Sequence, residues 1–144
     1  MSKYKAKKIE IDGIKFDSKD EANYYLYLKD KKAKGEIRDF GLQQKFELIP
    51  KFEKDGKKYR AMTYTPDFVI FHNDGTEEYI DVKGFSTQQG EMRKKLFDYF
   101  YRDKKLTWIS INFKYGNKDG LIEYEELQKK RREAKKAKEA MKAI

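Results

Sequence analysis

Apolar and polar positions recur along this chain with periods that name the local structure. In KKIEIDGIKF, Asp12-Gly13 is a favoured two-residue turn. Pairing across it sets Ile11 against Ile14 and Ile9 against Phe16, all on one face of a hairpin. Ser18 then offers an N-cap, Ala, Tyr and Leu follow at helical spacing, and Gly35 sits where a C-cap belongs, which predicts a helix over 19–34. From Leu42 to Leu48 the chain alternates, with Leu42, Phe46 and Leu48 on one face and Gln43, Lys45 and Glu47 on the other, and reads as one strand. KFEKDGKKYR reads as a polar turn around Asp55-Gly56. TYTPDFVIF and TEEYIDVKG read as two strands joined at HNDG. The segment 89–104 is amphipathic, with Met92, Leu96, Tyr99 and Phe100 on the apolar side and Arg93, Lys94 and Lys95 largely off it. LTWISINF is an apolar strand, and 121–144 reads as a helix dominated by charge in its second half. The order is hairpin, helix, three strands, helix, strand, helix, with no internal repeat. It implies an α/β layer fold, a mixed sheet with helices on its faces.

Composition narrows the function. The 144 residues suit one domain. A charged fraction of 41% would favour disorder, but 15% aromatics, including eleven Tyr and ten Phe, supply a core. With no Cys and one His, disulfide scaffolds, zinc fingers, thiol nucleophiles and a multi-His zinc site are excluded. No apolar run approaches the ~18 residues of a membrane span, and the basic start lacks the apolar stretch of a signal peptide, so an intracellular setting without membrane partners is expected. The net charge of +9 points to a polyanion, foremost nucleic acid. That charge sits at the ends: four Lys in a basic arm over 1–8 and net +3 in the helix over 121–144, leaving the 9–120 domain nearly neutral.

Within that domain the strand pair carries the chemistry. Alternation puts Asp81 and Lys83 on one face, with Ile80 and Val82 on the other. Asp67 joins them only with the right loop parity. A two-residue loop at Asp74-Gly75 sets Asp67 opposite Val82, whereas a three-residue loop, Asn73 to Gly75, pairs His72 with Thr76 and sets Asp67 opposite Asp81. Facing like charges are unfavourable in a plain sheet. A divalent cation between them removes the conflict, and Mg²⁺ suits carboxylate oxygens. Taken alone, Asp81 and Lys83 read as ordinary strand-edge residues; Pro-Asp, a short hairpin, then Asp-x-Lys-Gly is far less common by chance. Glu21 completes a capping box with Ser18, yet it shares a helix face with Tyr24, Tyr25 and Leu28, where an acid needs a partner or a metal. His72 reads as a surface turn residue. Trp108 and the Tyr cluster at 24, 25 and 27 read as core.

The ordered set Glu21, Pro66-Asp67 and Asp81-x-Lys83 resembles the PD-(D/E)XK nuclease superfamily. FDSKDEANYYLYLKDKKAKGEI, LQQKFEL, TPDFVI and IDVKGFST resemble a family of small phage and prophage proteins within it, related to Holliday-junction-resolvase-like endonucleases. The likeness runs from Ile9 to Phe113 and departs at Gln44, where Pro is expected, and at Asp81, where Glu is also common. It implies a restriction-endonuclease-like fold with a basic C-terminal helix, and Mg²⁺-dependent hydrolysis of DNA phosphodiesters, with Mn²⁺ as a substitute. Asp67 and Asp81 would hold the metal with the Val82 carbonyl, and Glu21 would complete outer coordination or bind a second ion. The metal would polarise the scissile phosphate, and Lys83 would orient the attacking water and stabilise the developing charge. Gln43 would contact the site, and Arg93 and Lys95 would grip flanking phosphates. The resemblance further implies branched or recombination-intermediate DNA as substrate, a homodimer, and a phage or prophage source. The alternatives are a non-catalytic nucleic-acid-binding module of the same fold and an interaction protein docking through its C-terminal helix.

Overall fold

The computed structural model describes residues 8–143, so the basic arm expected at 1–8 lies outside the described residues except for Lys8, which is exposed. The chain opens with β1 (Ile9–Ile11) and β2 (Ile14–Phe16), paired Ile9 with Phe16 and Ile11 with Ile14, as the alternation requires. Asp12 and Gly13 both take positive φ, 54° and 77°, the condition for a two-residue turn that matches strand twist. Helix α1 (Lys19–Ala33) begins where the Ser18 hydroxyl accepts the Glu21 amide at 3.1 Å, and buries Ala22, Tyr24, Tyr25 and Leu28.

The single strand expected over 42–48 is two. β3 (Asp39–Leu42) ends at Gln43, whose φ of 50° turns the chain, and β4 (Phe46–Ile49) follows. The Gln43 amide donates to the Asp67 carbonyl at 3.1 Å, which pins this corner. Leu42 therefore belongs to one sheet, and Phe46 and Leu48 belong to another. The expected polar turn at 50–60 is a hairpin, β5 (Phe52–Lys54) and β6 (Lys57–Tyr59), turned at Asp55-Gly56. Its strands are exposed, and its one aromatic pair, Phe52 stacked on Tyr59 at 4.5 Å, is too little apolar content to mark strands in the sequence. β7 (Met62–Tyr64) returns to pair with β4.

β8 (Phe68–Phe71), β9 (Glu77–Val82), α2 (Gln88–Phe100), β10 (Lys105–Ile111), β11 (Leu121–Glu123) and α3 (Tyr124–Lys142) complete the α/β fold. Five strands form a mixed sheet in the order β11-β10-β9-β8-β3. All neighbours are antiparallel except β9 and β10, which α2 joins as a parallel crossover. Two further differences from the sequence expectation concern the helices. On α2 the buried residue is Phe97, at 0% exposed, whereas Met92, Tyr99 and Phe100 face outward. At Leu121 the chain makes β11, paired to β10 after Gly120 at φ 77°, before α3 starts.

Alternation splits the core between the two faces of the sheet. Phe68, Ile70, Ile80 and Val82 pack with Phe16 and α1 on one side. Val69 and Tyr79 pack with Phe97 of α2 and with Phe46, Leu48 and Tyr64 on the other. Among the described residues, no helix is long and apolar enough to cross a membrane.

Candidate functional site

The β8–β9 hairpin has the odd loop that brings two acids together. His72 donates its amide to Thr76 at 2.9 Å, Gly75 donates to the His72 carbonyl at 3.0 Å, and the loop is Asn73 to Gly75. Gly75 sits at φ 89°, which a side chain would resist. The register runs Phe71 with Glu77 to Phe68 with Ile80, and one further pair places Asp67 beside Asp81. His72 closes the loop, with Nε2 3.1 Å from Glu78.

Asp81 is 6% exposed and lies on the α2 side of the sheet, in register with Trp108 of β10. Its Oδ2 accepts the Tyr64 hydroxyl and has Lys83 Nζ at 3.3 Å. Its Oδ1 faces the Asp67 amide at 3.3 Å. Tyr64 in turn accepts the indole Nε1–H of Trp108 at 2.8 Å. The backbone of Lys83 is fixed at both ends, its amide to the Ile109 carbonyl at 2.7 Å and its carbonyl by the buried Ser110 hydroxyl at 2.6 Å. Lys83 Nζ also lies 4.8 Å from the Trp108 ring centre, within cation–π range.

Asp67 accepts the Val82 amide on Oδ2 at 2.9 Å. Burial raises its pKa to about 9, helped by the charge of Asp81, a hydrogen bond with that carboxyl and the charge of Glu21, and opposed by the Val82 amide. Glu21 is half-buried; burial raises its pKa, as do Asp17 and Asp81, while the Asp17 amide and Lys83 oppose. Burial and the Asp81 charge push Tyr64 far up, so its hydroxyl remains a donor. Four of the expected residues, Glu21, Asp67, Asp81 and Lys83, thus share one electrostatic neighbourhood.

A cleft of about 230 Å³ opens beside Asp67, with Glu21, Gln43 and Phe16 in its wall. Glu21 stands across this cleft and not in a cage: among the described residues, no three acidic or His side chains converge as metal ligands. The expected ligand set is therefore a facing pair, Asp67 and Asp81, with Glu21 apart. Arg93 and Lys95 make no contact with the pair. Arg93 is half-buried with Nε lacking a partner among the described residues, and Lys95 lines a separate cleft of about 570 Å³ with Trp108, Tyr124 and Arg132. Another groove, about 1000 Å³, lies at the loop end of the hairpin and holds none of the candidate residues.

Sequence reasoning missed Tyr64 and Ser110 and took Trp108 as core only. Trp108 is core, at 5% exposed, but its indole N–H is spent on the site. Tyr64 stands three residues before Asp67, and nothing in its spacing signals a strand in another sheet leaning over Asp81.

The family model described as "Protein of unknown function (DUF1064)" matches residues 1–117, which include every residue of the acidic site, and the chain belongs to that family. Neither the curated proteins nor the solved structures gave a match.

Proposed function

We propose that the chain is a Mg²⁺-dependent endodeoxyribonuclease with a restriction-endonuclease-like fold that hydrolyses DNA phosphodiesters. The observation that carries this reading is the facing of Asp67 and Asp81 across the hairpin, with Lys83 on Asp81. Burial first, and then the charge of Asp81 facing it, raise the pKa of Asp67 and make its ionisation costly without a cation. The donor set fits a hard cation, because both groups offer carboxylate oxygens and the Val82 carbonyl follows Asp81 directly in sequence. When bound, Mg²⁺ would supply Lewis-acid polarisation of a phosphate oxygen and acidify a water. Asp67 and Asp81 would hold it, with Glu21 serving from across the cleft. Lys83, whose backbone is locked on both sides, would hold its ammonium against the phosphate and stabilise charge that develops there. Gln43, at the mouth of the same cleft, would touch the backbone of the strand being cut. Arg93 and Lys95 would meet phosphates farther along the duplex, outside the acid pair. The basic excess supplies attraction for DNA, and branched DNA is the substrate the resemblance favours.

The test uses labelled duplex, single-stranded and four-way-junction DNA with Mg²⁺, Mn²⁺ or chelator. Cleavage that needs metal and is lost in Asp81→Ala and in Lys83→Ala supports the enzyme. Binding without cleavage under every metal sinks it and makes the chain a binding module.

A further inference from the structure

The hydrogen bonds around Asp81 form a directed chain. Trp108 Nε1–H donates to the Tyr64 oxygen at 2.8 Å, and the Tyr64 hydroxyl donates to Asp81 Oδ2. Both aromatic residues are buried, Trp108 at 5% and Tyr64 at 7% exposed. The three groups come from three strands: Tyr64 from β7 in the small ribbon, Trp108 from β10, Asp81 from β9. A tyrosine that accepts from an indole has one proton left, and that proton has one place to go. Lys83 reaches the same Oδ2, so this oxygen carries two donors, while Oδ1 is turned to Asp67, whose amide lies 3.3 Å away.

We propose that Trp108 and Tyr64 are a positioning relay that fixes the Asp81 carboxylate, holding Oδ2 and leaving Oδ1 turned toward Asp67 as the oxygen that meets the cation. The cation rests on the function proposed above; the relay itself does not. Outer partners of this kind hold a ligand's orientation, and their loss typically costs about 10–100-fold in metal affinity.

Trp108 is the sole tryptophan of the chain, so its indole N–H gives one resonance in a ¹⁵N-labelled sample. In metal-free protein, Asp81→Asn should shift that resonance, and in a Tyr64→Phe background the same change should leave it still. An unmoved resonance in the first case, or an equal shift in both, overturns the relay. Mg²⁺ titrated by calorimetry should bind Tyr64→Phe about tenfold more weakly than wild type. Trp108→Phe, which removes the indole donor but keeps an aromatic ring, should weaken binding in the same direction and serves if Tyr64→Phe unfolds. Wild-type affinity in both variants overturns the positioning role. If Mg²⁺ fails to bind wild type while the metal-free coupling holds, the nuclease reading falls and the relay stands.

Discussion

Asp67 is a carboxylate in a costly place. It is held against Asp81 with Glu21 nearby, and among the described residues its compensating donor is the Val82 amide. Its native pKa, about 9, lies above the 3.8 of an ordinary Asp, so the folded chain holds the proton more tightly than the unfolded chain. The stability this group contributes is therefore fully present below about pH 4 and is lost as pH rises toward 9. In chelator, thermal unfolding of the wild type should move to lower temperature between pH 5 and 9 (read by circular dichroism). Asp67→Asn keeps an acceptor for the Val82 amide and carries no charge. It should flatten that dependence and be more stable at pH 8 by about 1–4 kcal/mol, the range typical of removing poorly compensated buried charge. A mutant with the same pH slope as wild type would show that Asp67 is not the strained group.

At the scale of elements, α2 shows how a helix face is decided by what lies beneath it. The apolar residues Met92, Tyr99 and Phe100 share a stripe, yet they are the exposed ones. Phe97 instead enters a ring cluster with Phe46 at 5.1 Å, Tyr64 at 5.4 Å and Tyr101 at 5.2 Å. Phe97→Ala should cost about 3–5 kcal/mol in urea unfolding, and Tyr99→Ala should stay within about 0.5 kcal/mol. Equal losses would contradict the packing. The contrast also marks what the sequence can disclose. The β1–β2 hairpin and α1 were legible because turn chemistry and capping are local rules; for Asp67 the sequence narrowed the register to two loop lengths, and the three-residue loop decides for Asp81. The break at Gln43 was not, since its positive φ serves a passage between two sheets and its neighbours Gln44 and Lys45 carry no apolar signal. The acid pair and Lys83 could be read from spacing; Tyr64 could not, because its link to Asp81 joins strands of different sheets.

At the scale of the whole molecule, the charge and the acids need each other. If the proposed function holds, an acidic pair repels the DNA it would cut, so attraction must come from elsewhere in the chain. α3 is rooted beside the site: its first residue, Tyr124, packs edge-on to Trp108 at 5.8 Å and accepts the amide of Ser86, three residues past Lys83. Only Tyr124 and Leu127 of this helix are buried, and residues 133–143 are wholly exposed. The stretch beyond Arg132 therefore adds little to folding, and a helix of this kind draws stability from its docked first turns. It does carry Lys135, Lys136, Lys138 and Lys142 against Glu133 and Glu139. Ending the chain at Arg132 should leave the unfolding free energy within about 0.5 kcal/mol of wild type. If the exposed turns lie along DNA, the same truncation should weaken binding. The slope of log affinity on log salt should then flatten by about 2–4, near one unit for each phosphate the helix neutralises. Fluorescence anisotropy across a salt series measures both quantities. An unchanged slope would place the DNA-binding charge on the 9–120 domain and the N-terminal lysines, and would leave α3 without a part in bringing phosphates to Asp67 and Asp81.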